Sequence, residues 1–305
     1  MQPFRIHVMG CGSAHPTPRH FSSAQLVEVR NKVFLVDCAE GAQLLLRRTH
    51  CRFANISVIF ISHLHGDHCL GLVGLISSLG LMGRTATLHV YAHGSFQDLF
   101  QQMMKFFCPN LSFVVSFHPI DTTAAKVIYE DKSVTVSTIP LEHRVPCCGF
   151  LFKEKEGMPH IRRDMLDFYK IPKCYIAGIK EGSGWVKDDG EVIPHERLVT
   201  PPDPVRTYAY CSDTRYIPNL HELLKGVNLL YHESTYDETC LHLAEKYYHS
   251  TAAQAAKVAK DAGVKHLLLG HYSARYSDEE VLKKEAETIF PNVSLANEGL
   301  IVDVV

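Results

Sequence analysis

The sequence predicts an α/β domain with one large interruption, and three observations predict it. Helix-period and strand-period segments alternate at both ends of the chain. Between them, residues 153–204 show no sustained periodicity and hold Gly157, Gly178, Gly182, Gly184 and Gly190, then Pro201, Pro202 and Pro204. The chain of 305 residues is 46% apolar and 21% charged, enough to bury a sizeable core and too apolar for a disordered chain. We therefore expect a single domain over 1–305, with 153–204 inserted in it as a functional arm, since fifty residues without regular elements are too many for an ordinary loop.

The elements follow in order. Residues 4–9 read as a strand ending in Gly10-Cys11-Gly12-Ser13, and 24–29 and 33–36 pair across Arg30-Asn31-Lys32. A short helix is expected over 40–48 and a fully apolar buried strand over 57–61, followed by a histidine-rich loop. An apolar helix over 69–81, a strand over 87–91 and a helix over 96–107 come next, the last with apolar positions at Phe96, Leu99, Phe100, Met103, Met104 and Phe107. Residues 134–141 form a strand before the interruption. After it, strands are expected over 206–211, 228–231, 265–269 and 300–304, with helices over 251–262 and 277–290.

Composition removes several classes of function. With 31 basic and 33 acidic residues the formal charge is −2, so a protein that coats nucleic acid non-specifically is excluded and any such partner must be held by a local patch. No segment reaches the roughly 20 apolar residues that cross a bilayer, and the first residues carry no leader pattern. Ten cysteines without a C-x-x-C point away from a disulfide scaffold or zinc ribbon. A reduced, cytoplasmic protein with no membrane partner is the expectation.

The chemistry is concentrated in Ser62-His63-Leu64-His65-Gly66-Asp67-His68, directly after the apolar strand. Imidazole and carboxylate suit zinc and other divalent metals. In an extended segment His63 and His65 point the same way, whereas Asp67 and His68 begin the next turn and point to a second place, which is the pattern of two adjacent metals. One isolated loop histidine would be read as a surface residue; four donors within six residues after a buried strand would not. Further donors stand at strand ends: His143, Asp213 and His271. Alone, Asp213 would be read as a turn cap.

Gly10-Cys11-Gly12-Ser13, Leu35-Val36-Asp37-Cys38-Ala39-Glu40-Gly41-Ala42-Gln43, Ile59-Phe60-Ile61-Ser62-His63-Leu64-His65-Gly66-Asp67-His68, Cys211-Ser212-Asp213-Thr214-Arg215, His232-Glu233-Ser234-Thr235 and His249-Ser250-Thr251 are together similar to the motifs of one family. Over nearly its whole length the chain resembles the metallo-β-lactamase superfamily and, within it, the ribonuclease Z family of tRNA 3′-processing endonucleases. The His232 and His249 blocks separate that family from other hydrolases of the superfamily.

The resemblance implies a four-layer αβ/βα sandwich with an inserted projecting arm at 153–204. It implies one zinc ion on His63, His65 and His143, a second on Asp67, His68 and His271, and Asp213 bridging them, with manganese able to replace zinc. It implies a homodimer in which the flexible arm of one subunit clamps the elbow of the precursor tRNA held by the other, and no DNA partner. Asp67 is then the general base and His249 the general acid, positioned by Glu233 or His232, so that hydrolysis leaves a 3′-hydroxyl on the tRNA and a 5′-phosphate on the trailer. For His232 a purely structural place, bonded to backbone, stands equally open. Arg162, Arg163, Lys173 and Lys180 lie on the insertion and are the candidate phosphate contacts; Tyr175 and Trp185 either stack on the RNA or pack the arm.

The chain departs from the family in its first loop and its arm, and mildly in the second motif, where Ala39 and Ala42 replace other small residues. Its first loop reads Pro16-Thr17-Pro18-Arg19-His20-Phe21 where the family has P-x-K-x-R-N, and 173–182 lacks the family's Gly-Pro. A phosphodiesterase acting on small or cyclic phosphodiesters would use the same donors, and is the alternative reading.

Overall fold

The structure, a computed structural model, describes residues 2–48 and 55–305. In chain order the strands are β1 (Phe4–Gly10), β2 (Ala24–Val29), β3 (Lys32–Val36), β4 (Ile56–Phe60), β5 (Leu88–His93), β6 (Val115–Ile120), β7 (Val127–Glu130), β8 (Val134–Pro140), β9 (Cys148–Glu154), β10 (His160–Ile161), β11 (Trp185–Val186), β12 (Val192–Ile193), β13 (Val199–Thr200), β14 (Thr207–Cys211), β15 (Leu229–Glu233), β16 (His266–Gly270), β17 (Val293–Leu295) and β18 (Ile301–Asp303). The helices are α1 (Ala42–Arg48), α2 (Gly66–Cys69), α3 (Leu72–Leu81), α4 (Gln97–Phe107), α5 (Arg163–Phe168), α6 (Ile176–Lys180), α7 (His195–Leu198), α8 (Leu220–Leu223), α9 (Leu241–Tyr247), α10 (Ala252–Ala262) and α11 (Glu280–Glu287).

Two seven-stranded sheets carry the larger unit, in the orders β18-β1-β2-β3-β4-β5-β6 and β17-β16-β15-β14-β9-β8-β7. The alternation of side chains along each strand explains why both faces are apolar. Phe34 and Val36 of β3 and Val58 and Phe60 of β4 join the core between the sheets, while Leu35 and Ile59 point the other way, under α1, α3 and α4. Aromatic rings bridge the two sheets: Phe60 lies 5.3 Å from Phe150, and Phe34 lies 5.7 Å from Phe152. The second sheet buries its other face against α8, α10 and α11. The layers are thus helix, sheet, sheet, helix. In each sheet four neighbouring strands, from the middle to one side, are parallel, β3 to β6 and β14 to β17, so their carboxyl ends gather on one edge, where ligands bind in such folds.

Several elements differ from the sequence expectation. The helix expected over 69–81 is two helices, α2 and α3, with Gly71 between them, so close to the Ala39 carbonyl that a Cβ there would overlap it. The strand expected over 228–231 continues through Glu233, which brings that carboxylate to the sheet edge. Helix α10 begins as expected, with Thr251 and Gln254 forming a capping box.

Residues Glu154–Val205 form a separate compact unit. Instead of lacking regular structure, it is built from two-residue ladders, β10 with β13 and β11 with β12, and three short helices around a small core of Leu166, Ile171, Ile179, Ile193 and Leu198. Pieces of two to six residues are too short to show a period in sequence.

Candidate metal centre and active site

The loop after β4 and the ends of β14 and β16 deliver the donors. Asp37 and His271, directly after a strand, and Asp213, one residue further on, adopt left-handed backbone at φ 56°, 59° and 56°. For a non-glycine residue this costs on the order of 1–3 kcal/mol, and here it turns each side chain back over the strand end. Asp37 fixes the histidine-rich loop: its Oδ1 accepts the Ser62 amide at 2.8 Å and its Oδ2 the Ser62 hydroxyl at 2.9 Å. The His143 loop is tied to the Asp213 loop through Glu142 N–H donating to Thr214 Oγ1 and Arg215 N–H donating to the Glu142 carbonyl.

Two groups of four donors result. In the first, His65 Nδ1 lies 3.1 Å from His63 Nε2 and 3.2 Å from His143 Nε2, and Asp213 Oδ2 is 3.7 and 3.8 Å from the same His63 and His143 atoms. In the second, Asp213 Oδ1 is 3.1 Å from His68 Nε2 and 3.0 Å from His271 Nε2, with Asp67 Oδ2 at 3.4 and 3.8 Å. A tetrahedral ion bonded at about 2.0–2.1 Å to each donor requires donor separations of roughly 3.3–3.4 Å. The observed spacings bracket that value, and Asp213 puts one oxygen into each group.

The outer partners orient the imidazoles. His68 Nδ1 donates to Asp37 Oδ2 at 2.7 Å, His143 Nδ1 to the Tyr248 carbonyl at 2.9 Å, His271 Nδ1 to Thr235 Oγ1 at 2.9 Å and His63 Nδ1 to Ser62 Oγ at 3.1 Å. With the proton on Nδ1, each of these four presents a lone pair at Nε2 to the centre, as metal-ligating histidines do. The buried Nε2 atoms of His68 and His271 make no hydrogen bond although carboxylate oxygens lie near, because their lone pairs converge on the space between the donors and not on a proton. Burial also keeps His63, His65 and His143 below the usual imidazole range, hence neutral and able to ligate. The donor set therefore fits a divalent cation. Asp37 also accepts from Tyr210 OH at 2.7 Å, which links the loop to the second sheet. Asp37→Asn, which tolerates the same backbone, should weaken metal affinity about 10–100-fold; titration with a competing chelator measures it.

Beside the centre stands a second constellation. Glu233, fully buried, accepts the Thr214 amide at 2.7 Å, the Thr235 hydroxyl at 2.6 Å and the Ser250 amide at 3.1 Å. His249 Nδ1 lies 2.9 Å from Glu233 Oε1, and its ring is 5.0 Å from His143 and 5.3 Å from His271. Tyr248, left-handed at φ 60°, ends α9 and swings His249 into this place. Burial disfavours a charged His249, but the Glu233 carboxylate more than offsets it and raises the imidazole to about 9. His232, one residue away on the strand, points to the opposite side of the sheet and donates to a backbone carbonyl at 2.8 Å. Of the two candidates for positioning His249, it is Glu233 that contacts it.

The candidate phosphate contacts lie in the 154–205 unit. Arg163 and Lys173 are exposed, Lys180 is half-buried, and Arg162 pairs with Asp164 at 2.8 Å. Tyr175 and Trp185 pack on each other at 4.7 Å. Sequence reasoning gave no role to Asp37, Tyr210, Thr235 or Tyr248. For Asp37 a signal was present, an aspartate directly after an apolar strand, the same signal as at Asp213.

Two mixed sheets packed face to face, helices outside and His/Asp donors on the edge where the parallel strands end define a hydrolase of the metallo-β-lactamase fold. Over 99% of both chains the structure superposes on human tRNase Z, short form, with a TM-score of 0.72 at 23% identity. A metallo-β-lactamase fold protein of Bacillus subtilis gives 0.70 at 19% identity over 99% of this chain and 100% of the other. In sequence the chain is 54% identical to ribonuclease Z of Bacteroides fragilis (strain YCH46) over 99% of both, and 52% identical to that of Bacteroides thetaiotaomicron over 100% of this chain and 96% of the relative. The chain belongs to the ribonuclease Z family, and its residues 4–158 also place it within the model described as Anti-Pycsar protein Apyc1. That shorter match ends just after β9, so it takes in the His63 loop and His143 but neither Asp213 nor the His232 and His249 blocks.

Proposed function

We propose that the chain is a zinc-dependent endoribonuclease that removes the 3′ trailer of precursor tRNA, acting in the cytoplasm as a homodimer. The observation that carries this reading is the Glu233–His249 pair, 2.9 Å apart beside the donor groups and drawn from the blocks that separate this family from other hydrolases of the fold. His63, His65 and His143 would hold one zinc ion and Asp67, His68 and His271 the other; nitrogen and carboxylate donors accept manganese as well. When bound, such a pair polarises the scissile phosphate and brings the attacking water's acidity towards neutrality.

The chain's own groups supply the rest. Asp67, with Oδ2 at 3.4 Å from His68 Nε2 and 3.8 Å from His271 Nε2, would take the proton of the attacking water. His249, kept protonated by Glu233, gives its proton to the departing 3′-oxygen, so the tRNA leaves with a 3′-hydroxyl and the trailer with a 5′-phosphate. The 154–205 unit serves as the tRNA-binding arm, with Arg162, Arg163, Lys173 and Lys180 against phosphates. Replacing Arg163 and Lys173 by alanine should weaken tRNA binding and make its log–log salt slope shallower by about 1–2, measured by filter binding across a salt series. Leu99, Phe106 and Phe107 of α4 and Leu81 of α3 are exposed apolar side chains that a second subunit would cover. The nine described cysteines are free thiols, in keeping with a reducing compartment; Cys51 lies outside the described residues.

The test is cleavage of a 3′-extended precursor tRNA by the purified protein with zinc or manganese, beside His65→Ala and with bis(p-nitrophenyl) phosphate as a second substrate. Cutting at one position near the acceptor end, lost in the variant, supports the reading. Turnover of the small ester with the tRNA untouched would replace it with a phosphodiesterase of small or cyclic substrates.

A further inference from the structure

We propose that Cys11, His20 and Glu298 bind a further divalent metal ion, zinc by the chemistry of the donors, which clasps the first loop to the carboxyl-terminal segment. The proposal does not depend on what the dinuclear centre hydrolyses. Cys11 directly follows β1, His20 lies in the loop before β2, and Glu298 stands between β17 and β18. Their donor atoms lie within 4.8 Å of one another, and none of the three residues belongs to either four-donor group.

The spacing suits a cation. Cys11 Sγ is 3.4 Å from His20 Nδ1 and 3.7 Å from Glu298 Oε1, and His20 Nδ1 is 3.0 Å from Glu298 Oε2. A tetrahedral ion with sulfur at about 2.3 Å and nitrogen and oxygen at about 2.0–2.1 Å requires separations of roughly 3.3–3.6 Å, and the observed values bracket that range. The Ala296 carbonyl, 3.4 Å from Sγ, is a further oxygen beside the sulfur. Cys11 is fully buried and His20 nearly so. A thiol brings one proton to the three acceptors around it, whereas a cation satisfies sulfur, nitrogen and carboxylate together.

The surroundings prepare the donors. Glu279 Oε1 lies 3.3 Å from His20 Nε2 and favours the proton there, which turns the Nδ1 lone pair towards Cys11 and Glu298, as outer carboxylates do for metal-bound histidines. Glu298 is fixed in turn by the Phe21 amide, which donates to Oε1 at 2.8 Å. Charge also closes: Arg19 pairs with Glu279 at 2.8 Å, and the two charges of the ion meet a Cys11 thiolate and the Glu298 carboxylate. Without a cation, burial and Glu298 keep the proton on Cys11; the ion displaces it to solvent, as metals do from coordinating thiols. The Cys11 carbonyl accepts the Tyr272 amide and the Tyr272 carbonyl accepts the Ser13 amide, each at 3.0 Å, so the clasp bears on the residue next to His271. The metal-free alternative is a protonated His20 between Glu279 and Glu298, with the sulfur as a bystander.

Cobalt(II) separates the two. Thiolate is a soft donor that cobalt, like zinc, accepts, and sulfur-to-cobalt charge transfer gives a near-ultraviolet band that the sulfur-free dinuclear groups cannot give. The native chain, stripped by a chelator and refilled, should take up one ion more than the dinuclear pair and show the band. Asp213→Asn should keep the band and that one ion, and added cobalt should raise its unfolding temperature. Cys11→Ala should lose the band and one ion with its circular dichroism unchanged, and combined with Asp213→Asn it should abolish the thermal shift. Glu298→Gln, still an acceptor for the Phe21 amide, should bind the ion responsible for the band at least about 10-fold more weakly, and it decides the matter should Cys11→Ala fail to fold. A native chain that fills with two ions and shows no band, or a Cys11→Ala chain that keeps the additional ion, would overturn the site and leave the protonated His20 in its place.

Discussion

Asp213→Asn should strip the chain of both metal ions and lower cleavage of precursor tRNA by roughly 10³-fold or more, the scale of losing water activation. The reason is the division of its two oxygens, one 3.0–3.1 Å from His68 and His271, the other 3.7–3.8 Å from His63 and His143. An amide has one acceptor oxygen, and its NH2 group would face the lone pairs of two imidazoles. Asparagine tolerates the left-handed backbone at this position, so the fold should persist. Metal content after gel filtration, together with circular dichroism, reads both halves of the prediction. A folded variant that keeps two ions at native affinity would refute the bridging role.

His249→Ala should act in a different way, with kcat on precursor tRNA falling about 10²–10⁴-fold while metal content and tRNA affinity stay near native. His249 contacts Glu233 and stacks near His271 without belonging to either four-donor group. The defect should shrink on bis(p-nitrophenyl) phosphate, whose nitrophenolate leaves without a proton. Glu233→Gln gives the accompanying sign: without the carboxylate at 2.9 Å the imidazole loses its proton more easily, so the alkaline fall in kcat should move to lower pH. Loss of metal in His249→Ala, or an equal defect on both substrates, would exclude the acid role.

What was legible in the sequence divides along physical lines. Strands β3 and β4 could be read because both of their faces are buried, between the sheets and under the helices, so Val33–Val36 and Val58–Phe60 are unbroken apolar runs; β1 and β2 stay legible although Arg5, His7, Gln25 and Glu28 interrupt theirs. Strand β6 could not: Ser116, His118 and Pro119 make it look like a loop, and only pairing with β5 makes it a strand. The donors were legible because imidazoles and carboxylates beside strand ends have few other uses. Their supporting groups were not, because Tyr210 reaches Asp37 only through the packing of one sheet on the other. The choice between His232 and Glu233 was open for a similar reason. Neighbours on a strand point to opposite faces, and which face meets His249 depends on how β15 sits in its sheet.

The division of donors between the sheets also has a consequence in time. His63, His65, Asp67 and His68 come from the first sheet; His143, Asp213 and His271 arrive with the second. On the ribosome the loop emerges with four donors and no bridge, and about 200 residues must follow before His271 appears, roughly 10–40 s at 5–20 residues per second. Until β16 is laid down, the second four-donor group lacks His271, although the first already has all four of its members. A nascent or truncated chain therefore holds the second ion weakly, and full nuclease strength is reached only once the whole polypeptide has been made.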